Sequence, residues 1–149
     1  MSKQTDYGIL LLTHFARNGE GSTYSARGLA LEAHLPVPMV SKILKLLARE
    51  GLLVSQRGAK GGYALARRAE KISIAEIISA MEGPIAMTEC VDAPGDCRQE
   101  PTCAVRSNWQ KINRVVSEAL GQISLSDMTT PLTNRLVALS SGLSIRPEA

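Results

Sequence analysis

Cys90, Cys97 and Cys103 are the only cysteines in a chain of 149 residues, and all three fall within fourteen positions. Their spacing, Cys-x6-Cys-x5-Cys, lies in a polar, breaker-rich stretch from Met87 to Cys103 that contains Pro94, Gly95 and Pro101. An odd set of thiols cannot all pair as disulfides within one chain. Thiolates converging from one loop suit a soft metal or an iron–sulfur cluster. The short Cys-x2-Cys pairs of zinc fingers are missing. The surroundings, rich in Asp, Glu, Gln and Pro, do not suit three ordinary buried thiols. Zinc and a metal-free redox switch are the competing uses of the same atoms.

The residues ahead of this loop carry a different signal. Ile9, Leu10, Leu12, Phe15 and Ala16 recur at helical spacing over 5–17, and Asn18-Gly19-Glu20-Gly21 ends that helix. Ser25 is the expected N-cap of a second helix, in which Gly28 points to close packing. Pro36 and Pro38 force a turn and open a third helix over 39–50, closed by Gly51. Its apolar stripe is Val40, Ile43, Leu44 and Leu47; its other face carries Met39, Ser41, Lys42, Lys45 and Arg49. Two short strand-like runs, 52–56 and 63–66, flank a glycine-rich basic loop holding Arg57 and Lys60, which reads as a hairpin. The capping box from Ser73 to Glu76 starts a fourth helix that stops at Gly83-Pro84.

Three helices followed by a basic hairpin describe a winged helix-turn-helix. In that motif the exposed side chains near the start of the second motif helix reach base edges. Met39, Ser41 and Lys42 are then the base-reading candidates, with Lys45 nearer the phosphates. On the wing, Arg57 suits a guanine or a narrow minor groove, and Lys60 suits a phosphate. The charge distribution agrees: residues 1–72 hold eleven Lys/Arg against five Asp/Glu, and the remainder holds six against nine. A basic front half suits a polyanion, and double-stranded DNA is the expected partner.

Behind the loop, Val105, Trp109, Ile112, Val116, Ala119 and Ile123 follow steps of four and three, the seam of paired helices. The expected organisation is a winged helix-turn-helix domain over 1–84, a cysteine loop over 85–104, a dimerisation helix over 105–128 and a loose tail over 129–149. The fold class is mainly α with a small β-hairpin wing, and the expected assembly is a homodimer. No apolar stretch approaches the length needed to span a bilayer. The start of the chain has no signal-peptide layout, and clustered free thiols fit a reducing cytoplasm. Neither Cys-x-x-Cys nor a recognised Cys/His pair is present, so neither enzymatic activity nor a small-molecule substrate is expected.

Several of these residues together resemble a known family. Thr5-Asp6-Tyr7, the run from Val40 to Lys45, Arg57-Gly58 with Gly61-Gly62-Tyr63, Glu82-Gly83-Pro84 and the three cysteines are similar to the IscR-type (Rrf) family of dimeric bacterial transcription regulators. The similarity extends over about residues 3–128 and looks closest to the subgroup that regulates the SUF iron–sulfur assembly system. It implies a winged-helix domain, a long dimerisation helix and a loop that binds an iron–sulfur cluster, with [2Fe-2S] favoured and [4Fe-4S] the alternative. It also implies base contacts from Arg57, Met39 and Ser41.

The family's histidine ligand, three residues after the last cysteine, is here Arg106, and a guanidinium has no lone pair to offer a metal. In nitric-oxide-sensing relatives an aspartate near the start of the first helix completes the site across the dimer, and Asp6 holds the similar position. The resemblance thus implies Cys90, Cys97, Cys103 and Asp6 as ligands, with Glu89, Asp92, Asp96 and Glu100 of the loop, and His14 and His34, as alternatives for the fourth position. The alternative function on this scaffold is a repressor that senses nitric oxide or redox state.

Overall fold

The structure is a computed structural model, and it describes residues 1–131. Helix α1 (Lys3–Arg17) opens on Ser2, whose hydroxyl accepts the Thr5 N–H. Helix α2 (Ala26–Ala33) is capped by Ser25, as expected, through the Gly28 N–H. A left-handed His34 ends it and turns the chain. Helix α3 (Val37–Arg49) follows Pro36 as its N-cap and begins two residues earlier than the sequence pattern indicated. Pro38 sits in its first turn, where a missing N–H breaks no helical hydrogen bond.

Packing is governed by the apolar stripes. Val40, Ile43, Leu44 and Leu47 of α3 are all fully buried, alongside Leu11, Leu12 and Phe15 of α1 and Leu29 of α2. Each side chain of this size contributes about 1.5–3 kcal/mol when removed from water. Gly28, expected to mark close packing, would place a Cβ against the oxygen of its own cap, Ser25, and against no other element. The close approach lies instead at Gly8, where a Cβ would come 3.1 Å from Cε of Met81. There α1 crosses α4 (Ile74–Glu82).

Strands β1 (Leu53–Gln56) and β2 (Gly62–Leu65) pair antiparallel, with Leu53 opposite Leu65 and Gln56 opposite Gly62. The wing is tied back to the domain where Tyr24 and Tyr63 exchange backbone hydrogen bonds of 2.9 and 2.8 Å. That crossing requires Gly62, since a Cβ would lie 2.4 Å from the Tyr24 carbonyl oxygen. Gly61 is equally constrained, with a Cβ 2.5 Å from the Gln56 oxygen.

Past α4 the chain forms one short turn of helix, α5 (Glu89–Asp92), then a 3-10 turn at Glu100–Thr102, then α6 (Arg106–Gly121). Helix α6 is shorter than the 105–128 expected from the seam. After Gly121 the chain returns to the domain: the Ile74 N–H donates to Ile123 O and the Leu125 N–H to Ile72 O, both at 2.8 Å. Leu125 is fully buried, and Ser126–Thr129 forms a 3-10 turn against α1. Ile123 therefore leaves the expected helical seam, and a buried leucine beyond it outweighs continuation of the helix. Of the tail expected over 129–149, residues 132–149 lie outside the described residues.

Candidate nucleic-acid interface and cysteine loop

The reading face is built from α3 and the wing. With the apolar stripe of α3 turned into the core, the opposite face leaves Met39 37% exposed, Ser41 half-buried, and Lys42 and Lys45 exposed. Arg57 and Lys60 lie at the exposed wing tip, in a turn closed by the Gly61 N–H donating to Gly58 O. Among the described residues none of Lys42, Lys45, Arg57 and Lys60 forms an ion pair, whereas Arg49, Arg67, Arg68 and Arg106 each have a carboxylate partner. Among the described residues their charge is thus not neutralised, which suits phosphates or base edges. The first turn of α3 holds no acidic residue that would repel a polyanion.

The cysteine loop follows a different plan. All three thiols are free: Cys90 is buried, and Cys97 and Cys103 are half-buried. Cys90 Sγ lies 3.2 Å from the Thr88 hydroxyl. The buried organiser is Glu100, only 8% exposed. One carboxylate oxygen accepts an Arg106 guanidinium N–H at 2.6 Å, and the other accepts the Gly95 N–H at 2.6 Å. Arg106, at the position where the resemblance led one to look for a histidine, thus acts as a cation holding the loop closed. Its Nε is buried without a partner. Both carboxylate oxygens of Glu100 are thus engaged, one by Arg106 and one by Gly95.

The loop is fastened at its entry too. The Asn113 side chain on α6 donates to Ile85 O and accepts the Met87 N–H, both at 2.9 Å. No sequence signal marked Asn113, because a lone polar residue on an exposed helix face looks like solvated surface. At the end of α4, the Thr5 hydroxyl donates to a Glu82 oxygen at 2.6 Å and the Ser2 N–H donates to the same oxygen. These bonds, that from Thr5 foremost, hold the Glu82 carboxyl below the ordinary carboxylate range.

Asp6, next to Thr5, is exposed in the first turn of α1. Among the described residues no three His, Cys, Asp or Glu side chains gather closely enough to hold a metal ion. One chain in this conformation therefore assembles neither the cysteine trio nor a set that includes Asp6. The donor chemistry nevertheless suits an iron–sulfur cluster: three unpaired thiols on one segment, with an unsatisfied guanidinium N–H at its edge that complements an anionic thiolate-bound group.

A cavity of about 510 Å³ lies elsewhere, between the end of α1 and residues 65–70. The arginines lining it, Arg67 and Arg68, are already paired with Glu76, Glu20 and Glu70. No helix among the described residues is long and apolar enough to cross a membrane.

Comparison with known proteins gives a consistent result. The Rrf2 family, described as an iron-dependent transcriptional regulator, matches residues 1–131. The chain is 27% identical over 128 residues to protein rrf2 of Nitratidesulfovibrio vulgaris strain Hildenborough, covering 86% of this chain and 85% of that protein. It is 31% identical over 131 residues to the HTH-type transcriptional regulator CymR of Bacillus subtilis, covering 87% and 89%. Among solved structures, CymR, the global cysteine regulator of B. subtilis, superposes with a TM-score of 0.69 at 27% identity, covering 87% of this chain and 95% of that one. T. potens IscR superposes with a TM-score of 0.66 at 28% identity, covering 93% and 89%. The match to this family sets the chain among transcription regulators and not among enzymes. With its helix-turn-helix, two-stranded wing and matched length, this chain belongs to the Rrf2 family of DNA-binding transcription regulators.

Proposed function

We propose that this regulator controls genes of iron–sulfur cluster assembly, the SUF type, and adjusts its operator affinity to the state of Cys90, Cys97 and Cys103. The supporting observation is the placement of three free thiols on a segment fastened at both ends to α6, by Asn113 at its entry and by Arg106 at its exit. Among the described residues, α6 and its N-cap also leave apolar side chains open to solvent: Val105 is 49%, Ile112 44% and Val115 40% exposed. A second copy of the chain covering that face makes a homodimer and sets two reading heads at a fixed separation. The protein would act in the cytoplasm, where thiols stay reduced.

Cys90, Cys97 and Cys103 would hold an iron–sulfur cluster, [2Fe-2S] in the favoured form, with Asp6 of the opposite copy as the fourth ligand. Such a group would supply a centre whose gain or loss follows iron supply and oxidants. Drawing the three thiolates together requires the loop to move. Because Asn113 and Arg106 tie that loop to α6, its movement is transmitted to the dimer helix and from there to the spacing of the heads. Operator affinity changes only by the difference in stability between the two arrangements. On the DNA, Met39, Ser41 and Lys42 read bases, Arg57 enters a groove from the wing, and Lys45 and Lys60 hold phosphates.

A nitric oxide or redox signal on the same scaffold is the second reading, favoured by the partial exposure of Cys97 and Cys103. The deciding experiment is oxygen-free purification with a visible spectrum and counts of iron and sulfide, followed by titration with nitric oxide. A brown protein with stoichiometric sulfide supports the cluster, and a colourless zinc-loaded one refutes it. Loss of operator binding on nitrosylation, without a response to iron limitation, would favour the second reading.

A further inference from the structure

We infer that the first turn of α3 reads thymine methyl groups, so that much of the operator's sequence information is taken up by apolar contact instead of hydrogen bonds. The inference rests on the reading of α3 as the helix that enters the major groove. Val37, Pro38 and Met39 are consecutive apolar residues, and all three are exposed, Val37 by 40% and Met39 by 37%. They are not misplaced core, because the helix already buries Val40, Ile43, Leu44 and Leu47 completely.

Polar reading capacity at this end of the helix is scarce. Pro36 at the N-cap makes no side-chain hydrogen bond, Pro38 has no N–H, and no acid stands in the first turn. The next side-chain donors along the helix are the half-buried Ser41 and the exposed Lys42. Residues at the start of a recognition helix face base edges. Of the four bases, only thymine presents a methyl group in the major groove. Thymine methyls are therefore the base-edge feature that Val37 and Met39 match, and each methyl buried against them strengthens binding by about fourfold.

The test starts from a duplex selected out of a random library by the full chain, purified without oxygen. That duplex is then synthesised with deoxyuridine in place of thymidine, one position at a time. The exchange removes the C5 methyl and leaves every base-pairing group in place. The inference expects a loss of about fourfold at particular thymines, repeated symmetrically in the two half-sites. Met39→Ala or Val37→Ala should erase the thymine-over-uracil preference at its own position. Lys45→Ala should weaken thymine and uracil duplexes equally. Both apolar residues are exposed, so their replacement spares the core, and the uracil scan of the unaltered protein needs no variant.

Equal affinity for uracil and thymine at every position would overturn the inference while leaving DNA reading intact. A preference that survives both alanine variants would also overturn it, by assigning the methyl contact to other residues. If no duplex is enriched, the DNA-reading role of α3 fails and the inference fails with it. Capture of a protein partner through Val37 and Met39, with no uracil effect, would count against it as well.

Discussion

The two halves of this molecule are held together by different forces. From α1 through α4, side chains such as Phe15, Leu29, Leu44, Leu53 and Ile77 are fully buried around one apolar core, and Leu125 returns to join them. Between Ile85 and Gly121 the buried side chains are Cys90 and Glu100, and α6 buries none at all. The reading half is fixed by apolar burial. The cysteine-loop half depends on separate polar ties: Asn113 to the loop entry, Glu100 to Arg106 and Gly95, and Thr88 to Cys90. Each such tie has a net worth of about 1 kcal/mol. The loop can therefore rearrange at a cost well below that of unfolding the reader, a division that suits a sensor.

The largest expected effect comes from attacking the reader's core. Leu44→Ala should lower the unfolding free energy by about 2–5 kcal/mol in a denaturant titration, with an unchanged slope. A loss below about 1 kcal/mol would mean that the core does not carry the stability assigned to it. Next is the exposed face of α6. Ile112→Glu buries a charge wherever a second copy covers that face, and should weaken dimerisation by about 1–3 kcal/mol in sedimentation experiments. An unaffected dimer would place the interface elsewhere.

Arg57→Ala should cost about 1–3 kcal/mol of operator affinity and relax the preference at one base pair, while thermal stability stays nearly constant. Weaker still, Glu100→Gln removes the charge from the tie to Arg106. That pair is partly open, with the Arg106 side chain 41% exposed, so the expected loss is about 1 kcal/mol. The loss should be local. Hydrogen exchange at the Gly95 amide should quicken while exchange in α3 does not change.

The smallest effect is a pH dependence at Glu82. Its carboxyl is held below its ordinary value of 4.5 by the Thr5 hydroxyl and the Ser2 N–H. A depressed carboxyl stabilises the fold above its unfolded pKa and loses that contribution as pH falls through the folded value. Wild type should therefore lose slightly more stability than Glu82→Gln when acidified below 4.5.

The same contrast explains what the sequence made legible. The reader is written in periods: the stripe of Val40, Ile43, Leu44 and Leu47, the caps Ser25 and Ser73, and the paired glycines of the wing each follow from local rules. The cysteine loop has no such period. Glu100, Arg106 and Asn113 are ordinary surface types: Asn113 meets backbone far away in sequence, and Glu100 bonds Gly95 and Arg106 across an irregular loop, so spacing alone could not assign them. The seam overran its helix for a related reason. Ile123 continues the four-and-three rhythm, but the hydrogen bond from Ile74 and the burial of Leu125 take the chain back to the core. Gly28 was legible as a mark of close packing, whereas the close approach at a helical glycine, Gly8 against Met81, depends on how α1 crosses α4.

The most direct test of the account is the affinity of one selected operator duplex for matched cluster-loaded and metal-free protein, measured without oxygen at a single salt concentration. The account predicts affinities that differ by about tenfold or more, a coupling of at least 1.4 kcal/mol, with Cys97→Ala fixed at the metal-free value. Equal affinities for the two forms would contradict it.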